Sequence, residues 1–376
     1  MELDQRARTV THIRSVVERN VVTEIVVCCD GLDPEYLNAV ETPGWDTIAD
    51  EGRSGTCPCV VPSLTNVNNV SIVTGAYPET HGITGNTYYD SEKDERVYMN
   101  DPSFLRRETL LRKSTAQGER VGAVFAKKKL QRMVGGGCAV TANAENPPEW
   151  LEDAVGPAPD IYSGEASAWL MEASEAVLDE NELDRLYVST TDVVPHKHAP
   201  GEERAAEWVR ELDDGIARLH ERASDIVVTA DHGMSRKTLC VDIEAHLART
   251  DIDATVIRLI RDEHTYHHRN LGGAAYVYLE GDSNEAKNRL TGVEGVELVL
   301  TSTEAAERFR LALNRVGDLM VLGTEEAVFG PVDAEDKCHA EVDLRSHGSH
   351  HEQEVPYATT VNEKLSSNIR AFTVLK

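Results

Sequence analysis

Three short apolar runs along the chain each end in an acidic residue. The β-branched stretch TEIVVCCD closes on Asp30, DRLYVSTTD closes on Asp192 and SDIVVTAD closes on Asp231. Continuous apolar runs of this length are typical of parallel strands that are buried on both faces. The pattern therefore predicts three buried strands, each with a carboxylate at its carboxyl end.

Helical periodicity separates these predicted strands. Apolar residues recur at three- and four-residue spacing over residues 205–219, between the last two strands, and over residues 169–177, before the second. Amphipathic helices that alternate with buried strands predict an α/β fold with a doubly wound, mostly parallel sheet. In such a sheet, ligands collect at the carboxyl ends of the strands.

The pattern changes over residues 241–341. Here GAAYVYL and VELVL predict strands, whereas SNEAKNRL and STEAAERFRLAL predict helices. We therefore expect a small α+β cap over residues 241–341, inserted into a core that covers residues 1–240. Residues 342–376 resume the polar, glycine-containing loops of that core and are expected to complete its site.

The overall charge limits the classes of partner. The 376 residues carry a formal charge of −27, and only 11 of the 38 basic residues are lysines. Such an acidic surface argues against nucleic-acid binding and is typical of proteins kept soluble in a salt-rich cytoplasm. No run of eighteen apolar residues occurs, and the N-terminal MELDQRARTV lacks the apolar core of a signal peptide. We expect a cytoplasmic protein with no membrane partner.

Histidines accompany the strand-end acids in the sequence. His196 follows Asp192 by four residues, His232 is adjacent to Asp231, and RSHGSH adds His347. A single acid at a strand end is most often a helix cap or a solvated loop residue. Three such acids, two of them with a histidine within four residues, instead form a set of carboxylate and imidazole ligands that zinc and similar divalent ions take.

The stretch VPSLTNVNNVSIVTG places Thr65 in the N-terminal region of a predicted helix. One interpretation is a plain helix cap. The other is a nucleophile, because a helix N-terminus offers N–H groups to a phosphoryl oxygen and a threonine that contacts a metal ion can ionise. Both interpretations are open at this point.

In their order along the chain, VVCCDGLDPEYL, PSLTNVNNVSIVTGAYPETHGITGN, TTDVVPHKHAP, ADHGM and RSHGSHHEQEVP resemble the metal-site motifs of the alkaline phosphatase superfamily, in its nucleotide pyrophosphatase/phosphodiesterase-like branch. Within that branch the chain resembles the phosphonoacetate hydrolases. The stretches HHRNLGGAAYVYL and NRVGDLMVLG are similar to the cap of those enzymes. The resemblance implies an alkaline phosphatase-like core that binds two divalent metal ions, expected to be zinc. The ligands it implies are Asp192, His196 and His347 for one ion, and Asp30, Thr65, Asp231 and His232 for the other.

The resemblance also implies substrate-binding residues. Asn86 matches a position whose amide donates to a phosphoryl oxygen, and Lys127 and Lys129 in AKKKL match a Lys-x-Lys pair that holds the substrate carboxylate. A solvated basic patch is the usual interpretation of such a run. Three of the 11 lysines lie in this one tripeptide of an acidic chain. We therefore favour the interpretation that positive charge is required at this position. The role of Lys128 stays open.

Other histidines in the sequence leave alternatives for the choice of metal ligand. His350 or His351 could replace His347 as a ligand, but His347 is preferred because Gly348 follows it, as in the His-Gly pattern of the family. Three more histidines stand in HTYHHRN, and either a position in the cleft or a surface role is open for them. These are His264, His267 and His268.

The activity that the resemblance implies is hydrolysis of a small anionic phosphonate, phosphonoacetate, to acetate and phosphate through a phosphothreonine on Thr65. Carbon can leave only as an enolate-like species, which the lysine pair would stabilise. The first alternative is a phosphodiesterase or nucleotide pyrophosphatase, which would need a pocket for a base or an alcohol. A non-catalytic metal- or phosphonate-binding protein is less expected, since binding needs no nucleophile. A homodimer is an open expectation.

Overall fold

The computed structural model describes residues 23–262, 269–333 and 337–375. The described strands are β1 (Glu24–Cys28), β2 (Arg53–Pro58), β3 (Thr87–Asp90), β4 (Glu95–Tyr98), β5 (Val121–Phe125), β6 (Val140–Asn143), β7 (Arg185–Ser189), β8 (Asp225–Thr229), β9 (Ser235–Val241), β10 (Ala254–Arg258), β11 (Ala274–Leu279), β12 (Val296–Thr301), β13 (Leu319–Gly323), β14 (Ala327–Phe329), β15 (His339–Ser346) and β16 (Glu354–Thr359).

The helices of the same ranges are α1 (Pro34–Asn38), α2 (Pro43–Glu51), α3 (Thr65–Thr74), α4 (Pro78–His81), α5 (Leu110–Ala116), α6 (Lys128–Val134), α7 (Glu149–Val155), α8 (Ala166–Glu180), α9 (Val193–Lys197), α10 (Glu203–His220), α11 (Ile243–Ala248), α12 (Ser283–Leu290), α13 (Ser302–Phe309) and α14 (Ala371–Val374). None of these helices is long and apolar enough to cross a lipid bilayer.

A seven-stranded sheet forms the centre of the molecule, with the strand order β2-β16-β8-β1-β7-β5-β6. Strands β8, β1, β7, β5 and β6 are parallel, and only the pairings of β16 with β8 and β2 are antiparallel. The predicted α/β fold with a mostly parallel sheet is thereby confirmed. The three strands predicted from apolar runs, β1, β7 and β8, are neighbours in the middle of this sheet.

The amphipathic helices predicted from their periodicity are α8 and α10. They pack against each other, α8 also contacts β5 and β7, and α10 also contacts β8. The core-facing positions of α10 recur at helical spacing and are buried, as Trp208, Leu212 and Leu219 illustrate. Burial of these apolar faces against the sheet provides the main stabilisation of the core.

Residues 254–323 form a second, antiparallel sheet with the order β10-β11-β13-β12. It has its own apolar cluster, which includes Leu247, Val277, Leu290 and Val321. Strand β9 enters this region and β15 leaves it, and the two strands pair with each other so that Val241 lies opposite His339. The division into a core and a cap stays a prediction, and its proposed borders coincide with this strand pair.

One predicted helix of this region is shorter than its sequence pattern indicated. The pattern STEAAERFRLAL predicts a helix through residue 313, but α13 ends at Phe309. Arg310 adopts a left-handed conformation with φ of 56°, which terminates the helix. The guanidinium of Arg310 stacks over the Tyr77 ring and pairs with Glu79, so contacts with the core side stabilise this helix end.

Candidate metal centre and substrate cavity

The three strand-end acids meet at one edge of the central sheet. Because β1 lies between β7 and β8, the chain places Asp30, Asp192 and Asp231 side by side, each just beyond the end of its strand, and all three are buried. Gly31 makes this approach possible, because a Cβ atom there would lie 2.9 Å from the Cβ of Asp192. Its φ of 74° is also a conformation that glycine adopts without strain.

Three histidines surround these carboxylates. The Nε2 atom of His196, on α9, lies 3.0 Å from the carboxylate of Asp192, and Nε2 of His347 lies 3.6 Å from the same carboxylate. The Nε2 atom of His232 lies 3.3 Å from Asp30. The structure therefore brings together the six predicted acid and histidine ligands.

Each of these histidines is oriented by its other ring nitrogen. Nδ1 of His196 donates to the carbonyl of Arg345 at 2.7 Å, and Nδ1 of His347 donates to the carbonyl of Ser63 at 2.7 Å. Nδ1 of His232 donates to the carbonyl of Gly233 at 2.9 Å. A carbonyl oxygen can only accept, so each ring carries a proton on Nδ1 and directs its Nε2 toward the acids. Metal-ligating histidines typically donate their other ring N–H in this way.

His347 follows β15 and is held by a turn in which Gly348 has a φ of 113°. The next two histidines, His350 and His351, lie elsewhere, because their imidazoles contact Glu297. The structure therefore places His347, rather than either neighbour, beside the strand-end acids. The histidines predicted as open cases at 264, 267 and 268 lie outside the described residues.

Thr65 is the first residue of α3, and Leu64 is its N-cap. No side chain caps this helix, so the interpretation of Thr65 as a plain cap is wrong. The Thr65 hydroxyl instead lies 3.2 Å from Nε2 of His232 and 3.5 Å from the carboxylate of Asp30. The hydroxyl thus points into the candidate metal centre.

Asn69, one turn along α3, was not among the predicted site residues. Its amide group donates to the Thr65 carbonyl at 2.9 Å and to the carboxylate of Asp231 at 3.1 Å. Its oxygen accepts from the hydroxyls of Tyr187 at 2.6 Å and Ser189 at 2.8 Å. The asparagine-rich composition of TNVNN was the only sequence signal for this residue, and its partners are distant in the chain.

The electrostatics of the centre favour a bound cation. Burial raises the pKa of the Asp30 carboxyl well above its usual range, and the nearby charges of Asp192 and Asp231 add to the rise. Burial opposes a charge on His232, but the carboxylates of Asp231 and Asp30 outweigh it and raise the pKa of His232 to about 10. Burial lowers the pKa of His347 far below its usual value, with further lowering by His232 and His196. Bound divalent cations would neutralise the buried carboxylates, so Asp30 and His232 would not have to hold protons.

The donor atoms fall into two groups, and in each group they lie within 4.8 Å of one another. One group is Asp192, His196 and His347, and the other is Asp30, Asp192 and His232. Carboxylate oxygen and imidazole nitrogen fit divalent ions such as zinc. Because Asp192 belongs to both groups, the two candidate metal positions adjoin one another.

A cavity of about 460 Å³ opens onto this centre. The residues that line it include Thr65, Asp192, Asn86, Lys127 and Lys129. Asn86, Lys127 and Lys129 were predicted only through the resemblance, and they line the same cavity as Thr65 and Asp192.

Asn86 lines the cavity, and two hydrogen bonds fix the orientation of its amide group. Its oxygen accepts from Nδ2 of Asn66 at 2.6 Å, and its own Nδ2 donates to the carbonyl of Ile260 at 2.9 Å. The amide group has two N–H bonds, so one remains for a ligand in the cavity. Asn66, which also lines the cavity, was missed because its contact with Asn86 depends on the tertiary fold.

The three lysines of AKKKL occupy different environments. Lys129 forms an ion pair with Asp262, with Nζ 2.7 Å from the carboxylate. Lys128 is exposed, and its backbone N–H donates to Glu145.

Lys127 is partly buried and precedes α6. Burial tends to lower the pKa of Lys127, but the carboxylates of Asp192 and Asp30 outweigh burial and raise it. Lys127 therefore stays positively charged in the field of the metal-centre acids.

The chain is similar to known proteins in both sequence and fold. Residues 24–351 match the family described as type I phosphodiesterase / nucleotide pyrophosphatase. Human ectonucleotide pyrophosphatase/phosphodiesterase family member 7 is 24% identical over 235 residues, which are 56% of this chain and 47% of that protein. The chain thus spans about half the length of this curated relative.

Two solved structures illustrate the similarity of fold. Phosphonoacetate hydrolase from Sinorhizobium meliloti 1021, in complex with phosphonoacetate, is 34% identical and superposes with a TM-score of 0.84 over 94% of both chains. Murine ectonucleotide pyrophosphatase/phosphodiesterase 5 is 18% identical, with a TM-score of 0.68 over 93% of both chains. The second likeness concerns the fold alone.

Proposed function

Because the chain belongs to the type I phosphodiesterase / nucleotide pyrophosphatase family of metal-dependent hydrolases, we propose that it hydrolyses the carbon–phosphorus bond of phosphonoacetate, with Thr65 as the nucleophile. The observation that carries this proposal is the composition of one cavity. The cavity is lined by Thr65, whose hydroxyl lies 3.5 Å from the buried carboxylate of Asp30, and by Lys127 and Lys129. The similarity to the phosphonoacetate hydrolase of Sinorhizobium meliloti supports the choice of substrate.

We propose that the metal ligands are the residues of the two donor groups, together with Asp231 and Thr65. The donor groups contain Asp30, Asp192, His196, His232 and His347. Their carboxylate and imidazole donors, and the oriented Nε2 atoms, fit two divalent ions, with zinc as the proposed metal. When bound, such ions would supply positive charge to phosphoryl oxygens and lower the pKa of hydroxyl groups at the centre.

We propose that the Thr65 hydroxyl attacks phosphorus. The position of Thr65 as the first residue of α3 puts its hydroxyl in the cavity, next to helical N–H groups that carry a partial positive charge. In the first step, the Thr65 hydroxyl gives up its proton to water, a bond forms between the Thr65 oxygen and phosphorus, and the carbon–phosphorus bond breaks. Asn86 would donate its remaining N–H to a phosphoryl oxygen during this step.

The electron pair of the broken bond goes to carbon. It delocalises into the adjacent carboxylate as an enolate, and a proton from water converts this enolate to acetate. Lys127 and Lys129 would hold that carboxylate and stabilise the charge that grows on it. Because the Asp262 carboxylate already offsets the charge of Lys129, we assign the larger share to Lys127. Water then attacks the phosphothreonine, releases phosphate and restores the Thr65 hydroxyl.

The volume of the cavity favours one alternative. About 460 Å³ is more than a substrate as small as phosphonoacetate fills, and cavities of this size bind larger organic ligands. A phosphodiesterase or nucleotide pyrophosphatase would use the same centre and Thr65, with its alcohol or base in the remaining volume.

Phosphate release from phosphonoacetate, measured beside hydrolysis of p-nitrophenyl phosphodiesters, tests the proposal. We expect turnover of phosphonoacetate with a higher kcat/KM than for the diester. Faster hydrolysis of the diester would select the phosphodiesterase alternative. Binding of phosphonoacetate without hydrolysis of either compound by the zinc-loaded protein would instead indicate a binding protein.

A further inference from the structure

A second group of metal-binding side chains lies away from the candidate active site. Nε2 of His350 lies 3.3 Å from one carboxylate oxygen of Glu297, and Nε2 of His351 lies 2.6 Å from the other. The centroids of the two imidazole rings are 4.3 Å apart, and the three donor atoms lie within 4.8 Å of one another. We propose that Glu297, His350 and His351 form an additional divalent-metal site, of zinc type, that joins two separate parts of the fold.

The donor set and its geometry support a metal rather than a plain ion pair. Two imidazoles and one carboxylate are the protein ligands of many zinc sites, with a water molecule in the fourth position. A single carboxylate needs only one histidine for an ion pair, yet here two adjacent histidines direct the same ring atom toward it. Small rotations of exposed side chains would bring the three donors to the metal–ligand distances of about 2.0–2.2 Å that zinc takes.

The backbone of Glu297 is adapted to this contact. Strand β12 pairs with β13, and the register shifts between Val296 and Leu298, which leaves Glu297 as the extra residue of a β-bulge. A bulge changes the direction of the side chain that it carries, and bulges are frequent near functional sites. Here the bulged residue is the one that reaches across to His350 and His351.

Hydrogen bonds and an ion pair of Glu352 stabilise the turn that carries the two histidines. The carboxylate of Glu352 accepts from the backbone N–H of Ser349 at 3.0 Å and from its hydroxyl at 3.1 Å. Its other oxygen pairs with the fully buried ammonium of Lys237 at 2.8 Å. A fixed turn lowers the entropic cost of gathering ligands, so the site is preorganised on the histidine side.

The position of the site determines what a bound ion would do. Glu297 belongs to the antiparallel sheet of residues 254–323, whereas His350 and His351 belong to the turn that begins at His347. An ion held by all three would connect that sheet to the same turn that presents a ligand to the candidate active site. We infer a stabilising role, separate from the chemical step.

Metal counting on the full-length protein tests the site. Wild-type protein, E297Q and the double variant H350Q/H351Q would be dialysed against buffered zinc and analysed by inductively coupled plasma mass spectrometry. We expect both variants to bind one zinc ion fewer per chain than the wild type. The matched control is H220Q, because His220 forms a single exposed pair with Glu51 at 2.9 Å, and it should bind as many ions as the wild type.

Thermal unfolding provides the second measurement. Starting from protein saturated at its tighter sites, further zinc should raise the melting temperature of the wild type and of H220Q more than that of E297Q. Equal zinc content in the wild type and both variants would overturn the proposal and leave the three side chains as an ion-pair cluster. An equal zinc-dependent shift in the wild type and E297Q would overturn the stabilising role. Neither result depends on which substrate the enzyme hydrolyses.

Discussion

The amide nitrogen of Asn69 donates to the carboxylate of Asp231 at 3.1 Å, and this bond joins helix α3 to the end of β8. The same amide nitrogen holds the carbonyl of Thr65. A single side chain therefore fixes the candidate nucleophile relative to a candidate metal ligand. Four hydrogen bonds converge on it inside the buried core.

We predict that Asn69→Ala impairs both stability and turnover. The substitution leaves the buried hydroxyls of Tyr187 and Ser189 without their acceptor, at a cost of about 1–3 kcal/mol for each unsatisfied group. Because Asn69 positions Thr65 without touching the substrate, kcat should fall more than KM rises. Urea unfolding and steady-state kinetics check both parts. A variant with reduced stability and unchanged kcat would show that Asn69 has only a structural role.

Replacement of Thr65 tests the covalent step. Thr65→Ala should retain binding of phosphonoacetate but lose activity by at least about 10³-fold, as nucleophile replacements do. Thr65→Ser keeps the hydroxyl and should retain part of the rate. Mass spectrometry of quenched reactions should detect a phosphorylated residue in the wild type and not in the alanine variant. Multiple turnovers by Thr65→Ala at a rate near that of the wild type would mean that water attacks phosphorus directly.

The lysines are predicted to be unequal. Lys127→Ala should lower kcat for phosphonoacetate by roughly 10²–10³, by analogy with the loss of an oxyanion donor. Lys129→Ala should cost less, because Asp262 offsets the Lys129 charge. Hydrolysis of an aryl phosphodiester, whose leaving group has no carboxylate, should change little in either variant. Equal losses on both substrates would assign the lysines a general electrostatic or folding role. Lys364→Ala is the control, because Lys364 is exposed and is not among the residues that line the cavity.

Metal content should respond differently to two neighbouring ligands. Asp192 belongs to both donor groups, whereas His196 belongs to one. We therefore expect Asp192→Asn to lose up to two metal ions per chain and His196→Gln to lose one, each with loss of activity. Metal analysis of purified protein after dialysis measures the difference. If both variants lost the same single ion, Asp192 would serve one position only.

The metal-free protein should be less stable at alkaline pH. The folded-state pKa of His232, about 10, lies above its unfolded value near 6.5, so its protonated form stabilises the fold at and below pH 6.5. This contribution is lost as pH rises from 6.5 through about 10.

Bound metal replaces this proton, so the zinc-loaded protein should lose less stability over the same range. Melting temperatures between pH 6.5 and 10, measured with chelator and with zinc, compare the two forms. Parallel pH profiles would show that the protonation of His232 is not coupled to folding of the metal-free protein.

The sequence sufficed to predict the elements whose signal is local. Strand β1 was predictable because Ile25–Cys28 is an unbroken apolar run, and α10 because its buried positions repeat at helical spacing. The acids at the strand ends could be grouped because a parallel sheet brings such ends to one edge.

Features that depend on long-range contacts could not be predicted. Asn69 acquires its role only when β8 brings Asp231 to it, and Lys129 could not be distinguished from Lys127 before Asp262 was placed. Thr65 was ambiguous because a cap and a nucleophile occupy the same place in a sequence pattern. The structure makes Leu64 the N-cap and places the Thr65 hydroxyl 3.2 Å from Nε2 of His232, whereas the role of Thr65 as a nucleophile stays a prediction.

The antiparallel strand β16 has a consequence for synthesis of the chain. Within the described sheet, β2 pairs with β16, and Cys57 lies opposite Val355. During translation, β2 leaves the ribosome long before β16 is synthesised. Until residues beyond 350 emerge, the backbone N–H and C=O groups of β2 that pair with β16 must be hydrated or bound by a chaperone. His347 arrives only shortly before β16. The nascent chain can therefore complete its sheet and its metal centre only at one late moment, and a truncated product would expose an unpaired strand.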